Sequence, residues 1–167
     1  MKSWMLGLFL AVLIAPAGNA GDQLLSFNGG IAVDPVSGIA AGAPVLNVVR
    51  NVQPGGVPWH IDRLTADIDV GGRIKVQGRG LLLAGGNGIG TNAGQSVHAV
   101  LFCGPAATAT ALSTDHAGVP LAANGDFRID GTLTPAPPAN CATPVLLIVS
   151  ANDRWFAAGI LANDSDD

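Results

Sequence analysis

Residues Trp59 to Leu83 read WHIDRLTADIDVGGRIKVQGRGLLL, and this stretch decides the fold class. Leu64, Ala66, Ile68 and Val70 alternate with Arg63, Thr65, Asp67 and Asp69. A period of two is the mark of a half-buried strand. The alternation resumes after Gly71-Gly72, with Ile74 and Val76 set against Arg73, Lys75 and Gln77. The two runs therefore predict an antiparallel hairpin. A loop of Gly71-Gly72 alone would pair Asp69 with Ile74 and mix the faces. A loop of Val70-Gly71-Gly72 pairs Asp69 with Arg73, Asp67 with Lys75 and Ile68 with Ile74, and keeps them apart. That loop needs a left-handed residue last, which Gly72 supplies. Its outer face then carries opposite charges directly across the strands, worth about 0.2–1 kcal/mol per pair. Gly78 and Gly80 fall on the inner side and predict a bulge or a close approach by another backbone.

The same grammar extends in both directions. Gln23 to Phe27 and Pro44 to Val52 are expected strands. Gln53 to Pro58 (QPGGVP) is a turn cluster. Ser96 to Cys103 (SVHAVLFC), Ala107 to Thr114, Asp126 to Leu133, Pro144 to Ser150 and Arg154 to Leu161 follow as strands, separated by Gly-, Pro- and Asn-rich turns. The chain contains no Glu, and its only Lys after Lys2 is Lys75. Glu and Lys are the usual helix-surface residues, so their scarcity argues against helices. The expected fold is an all-β, single-domain immunoglobulin-like β-sandwich of about 7–9 strands, with a small β-barrel as the alternative.

Lys2, the uncharged run Met5 to Ala15 and the small residues ending at Ala20 have the layout of a secretory signal peptide. The run is too short for the ~20 residues of a membrane-spanning helix. Residues 1–20 are thus expected to be removed after Ala20. Residues 21–167 are expected to form one domain, with 21–44 loosely structured and 162–167 a frayed acidic tail. The location expected is secreted or periplasmic. In an oxidising compartment Cys103 and Cys141 are expected to pair as a disulfide. Without Lys2, seven basic and twelve acidic residues remain, a formal charge of −5. That balance is a poor match for nucleic acid or anionic lipid.

No motif of known chemistry emerges. The segment AGGNGIGTNAG, residues 84–94, lacks the spacing of a phosphate-binding loop. His60, His98 and His116 form no HxH or HxxxH pair, so no metal site or cofactor is expected. Ser96, His98 and Asp115 supply the residue types of a hydrolase, but no G-x-S-x-G elbow is present. No catalytic residue is assigned. Trp59 and Trp155 each follow a turn, and with His60 they are the candidate binding residues, because aromatics are enriched at binding surfaces. The function expected is a non-enzymatic binding module for an extracellular or envelope ligand. A structural or assembly component of the envelope is the alternative, and a small secreted hydrolase a further one.

Overall fold

Asp67 lies opposite Lys75 and Ile68 opposite Ile74, the register of the three-residue loop. Gly72 closes that loop with φ +84° and donates its N–H to the carbonyl of Asp69. The Arg73 side-chain Nε–H and its backbone N–H both donate to the Asp69 carboxylate, at 2.8 and 2.9 Å. These bonds, led by the one from the guanidinium, hold the Asp69 carboxyl below the usual carboxylate range.

The computed structural model describes residues 22–162, which form fourteen strands and no helix. The strands are β1 (Gln23–Ala32), β2 (Val36–Ala40), β3 (Ala43–Leu46), β4 (Gln53–Pro54), β5 (Trp59–His60), β6 (Arg63–Asp69), β7 (Arg73–Arg79), β8 (Leu82–Leu83), β9 (Ser96–Cys103), β10 (Thr110–Ser113), β11 (Val119–Pro120), β12 (Phe127–Thr132), β13 (Val145–Ser150) and β14 (Arg154–Leu161). The expected signal peptide, its cleavage after Ala20 and the tail from residue 163 lie outside the described residues.

One sheet runs β10-β9-β13-β14-β1-β6-β7-β12. Its two ends meet, because Ser113 at the end of β10 and Thr134 just past β12 exchange both backbone hydrogen bonds, at 3.0 and 2.8 Å. The sheet is a nearly closed antiparallel barrel. The all-β class and the disulfide are as expected, but the two separate sheets of an immunoglobulin-like sandwich are not seen. The physical reason is that β1 pairs with both β6 and β14 and so joins what would have been two sheets into one. Residues 22–44 are correspondingly more regular than the loose segment expected there. They hold β1 in mid-sheet and most of the β2–β3 hairpin.

Leu64, Ile68, Ile74, Leu101, Leu146 and Ile148 fill the interior, each fully buried. Gly78 faces Phe127 across β7 and β12, and a Cβ there would lie 2.0 Å from the Phe127 ring. The close approach predicted at Gly78 is thus made by an aromatic ring rather than by backbone. Pro44 to Val52 is not one strand. It breaks after Leu46 into a tight turn in which Arg50 and Asn51 both take left-handed φ, 52° and 65°, between the paired Val49 and Val52. Cys103 at the end of β9 is bonded to Cys141, with Cα atoms 4.8 Å apart. The bond ties the Pro-rich connection from β12 to β13 onto β9.

Candidate functional site

The alternation within β9 assigns its faces. Val97, Ala99 and Leu101 point into the barrel, and His98, Val100 and Phe102 point outward. Across the ladders, Val149 stands beside His98. Ser113 stands beside Val100, and Ala111 beside Phe102. An outer barrel face normally meets water, yet His98, Val100, Phe102 and Val149 on this one are buried. Asn51, Val52 and Gln53 form a wall beside it. Three connections hold that wall in place. Gln53 and Pro54 pair in parallel with Arg154 and Trp155. The Trp155 indole N–H donates to the Asn47 carbonyl at 2.9 Å. Arg50 donates to the Thr143 carbonyl at 2.9 Å.

Between wall and sheet lies a cleft of about 490 Å³. Val100, Phe102, Ala111 and Val149 give it an apolar floor, and His98, His116, Asn152, Asp153 and Arg154 supply polar groups. His98 is 1% exposed, and its Nδ1 has no hydrogen-bond partner. Gln53 Oε1, on the wall, is likewise buried without a partner. The His98 and His116 rings lie 4.6 Å apart, tilted by 49°. His116 Nε2 is 3.7 Å from Asp153 Oδ1. One donor atom from each of His98, His116 and Asp153 falls within 4.8 Å of the others. Burial pushes the His98 imidazole below the usual histidine range. The neighbouring His116 lowers it further, while Asp153 and Asp115 act in the opposite sense.

The turns that carry His116 and Asp153 are well fixed. Asp115 accepts from the Ala117 N–H through its side chain and from the Gly118 N–H through its carbonyl. Ser150 accepts the Asp153 N–H at 3.0 Å, and Asp153 takes a left-handed φ of 55°, which Asp tolerates better than most residues. No local spacing in the sequence joins these two residues to His98. Strand pairing does. Both β10 and β13 run antiparallel to β9, so the turns that follow them emerge beside its first residues.

The candidate binding residues Trp59, His60 and Trp155 do not line the cleft. Trp59 is buried and stacks on Phe156, with centroids 4.1 Å apart and planes 17° apart. Trp155 is also buried, and its indole serves the wall. Their burial leaves little indole surface for a ligand. His60 is exposed, and its Nε2 lies 2.9 Å from Asp62 Oδ1. Ser96, His98 and Asp115 are joined by no hydrogen bond among the described residues. No helix among the described residues is long and apolar enough to cross a membrane.

Comparison with family models, with curated proteins and with solved structures finds no match.

Proposed function

We propose that the protein is an exported, non-enzymatic binding module that seats a small, partly apolar ligand in the cleft over β9, β10 and β13. The observation that carries this reading is the wall of Asn51, Val52 and Gln53, which turns an outer sheet face into a concave site. Its volume of about 490 Å³ falls within the range of small-molecule sites, about 300–1,000 Å³. An apolar floor with a few convergent polar groups is the usual composition of such a site. Export is supported by the Cys103–Cys141 disulfide, which persists in oxidising compartments.

The test fills the cleft. Ala111 is exposed on its floor, so Ala111→Trp adds bulk without disturbing the interior. Wild-type protein is expected to enhance the fluorescence of an anilinonaphthalene dye, saturably and with one dye per chain. Ala111→Trp is expected to keep the wild-type circular dichroism and lose that enhancement. Unchanged dye binding by the variant refutes the cleft as the seat. Ester hydrolysis that disappears with His98→Gln refutes the non-enzymatic reading.

A second reading, assembly with other copies, is favoured by the β2–β3 hairpin. It carries no charged residue, and Ile39 is 78% exposed. Bare, uncharged edges of this kind pair with other chains. Sizing across a wide concentration range separates the readings: a monomer throughout removes this one.

A further inference from the structure

We propose that His98, His116 and Asp153 form a binding site for a zinc-class divalent metal at the rim of the cleft. Two imidazoles and a carboxylate are the donor set of open, three-ligand zinc sites. Imidazole favours zinc, copper, nickel and iron over the hard cations magnesium and calcium, which prefer oxygen alone. Donors at zinc distances of 2.0–2.2 Å sit about 3.3 Å from one another around a tetrahedral ion. Here the His116–Asp153 pair is at 3.7 Å and the whole set lies within 4.8 Å. The His116 and Asp153 side chains are 58% and 75% exposed, which leaves both room to rotate toward a shared ion.

A second observation points to a ligand independently of that clustering. His98 is 1% exposed, and its Nδ1 is buried with no hydrogen-bond partner. Buried polar side chains nearly always have one. A neutral imidazole carries one lone-pair nitrogen, and a divalent cation is a partner for that lone pair. Gln53 Oε1, buried in the same cleft, is an acceptor that lacks a donor. A metal-bound water is such a donor. Three protein ligands leave coordination positions open, so the site can hold water or a ligand's own donor atom. This assignment goes beyond the cleft reading and has its own readout, so the failure of either leaves the other standing.

The test uses the full chain without a histidine tag, exported to an oxidising compartment, purified and stripped with chelator. Titration calorimetry with zinc chloride is expected to show one ion per chain with micromolar affinity. His116→Gln and Asp153→Asn change exposed side chains and are expected to keep the fold. Each is expected to weaken binding by about tenfold or more. His98→Gln is expected to abolish it, and His60→Gln, which alters the separate His60–Asp62 pair, to leave it unchanged. Bound cobalt(II) is expected to show the visible absorption of a low-coordinate imidazole site, lost in the same variants. No binding at millimolar zinc overturns the proposal. So does zinc binding that survives both His116→Gln and Asp153→Asn.

Discussion

Gly78→Ala tests whether the barrel interior is packed as the strand register implies. The added Cβ would lie 2.0 Å from Cε1 of Phe127 and 2.2 Å from its Cζ. Carbon atoms sit comfortably at 3.5–4.0 Å, so the ring must retreat by about 1.5 Å. It has little room to do so. Phe127 is buried, and its neighbours Val76 and Ile129 are buried as well. Overpacking of this kind costs about 1–3 kcal/mol. Replacing Gly by Ala within a strand recovers about 0.5–1 kcal/mol of backbone entropy. The 2.0 Å approach puts the packing cost in the upper part of its range, about 2–3 kcal/mol, so the expected net loss is about 1–2 kcal/mol. With a urea m-value of about 2 kcal/mol/M, the unfolding midpoint falls by about 0.5–1 M. The assay is equilibrium urea unfolding of the disulfide-bonded protein, followed by tryptophan fluorescence. Phe127→Leu completes a double-mutant cycle. It removes ring atoms, so Gly78→Ala is expected to cost less in its presence, with a coupling of about 1 kcal/mol. A Gly78→Ala protein as stable as wild type would falsify the pairing of Gly78 with Phe127. Strictly additive losses in the cycle would do the same.

Replacing both Cys103 and Cys141 by Ala opens a loop closed over a separation of 38 residues and is expected to cost about 4 kcal/mol, read as a fall in urea midpoint. An unchanged midpoint rejects a structural role for the bond. In metal-free protein, stability is expected to fall as pH drops below about 6.5, the ordinary value for histidine. The sign follows from His98, whose imidazole is lowered in the folded chain by burial first and by His116 second, against the pull of Asp153 and Asp115. The unfolded chain binds the proton first, so stability is full above the unfolded value and is lost toward the lower folded one. His98→Gln is expected to flatten the slope of midpoint against pH between neutrality and pH 5, whatever its effect on stability at neutral pH. An unchanged slope removes His98 as the cause.

The strands legible in the sequence were those whose signal is local. Period-two alternation from Arg63 to Val76 marked both strands of the hairpin, and the demand that charges share a face selected the observed loop at Gly72. Phe127–Thr132, Val145–Ser150 and Arg154–Leu161 were also bounded by their own turns. Less was legible where the turn chemistry was unusual. Arg50 and Asn51 bend the chain with no Gly to announce it, so the sequence pattern extends the strand from Pro44 through Asn51 and Val52 of the cleft wall. The enrichment of aromatics at binding surfaces makes Trp59 and Trp155 candidates from the sequence. Both are buried, Trp59 stacked on Phe156 and Trp155 with its indole N–H bonded to the Asn47 carbonyl.

The sequence by itself determined the all-β class, the hairpin register and the pairing of Cys103 with Cys141, because near-neighbour alternation, turn geometry and the presence of only two cysteines are each readable without knowing the topology. Tertiary structure alone decided that the sheet closes into a barrel, through β1 pairing on both edges and Ser113 meeting Thr134. It alone brought His98, His116 and Asp153 together. Their convergence depends on β10 and β13 flanking β9 in the same direction, a choice set by packing between segments far apart in the chain and by no spacing within any one of them.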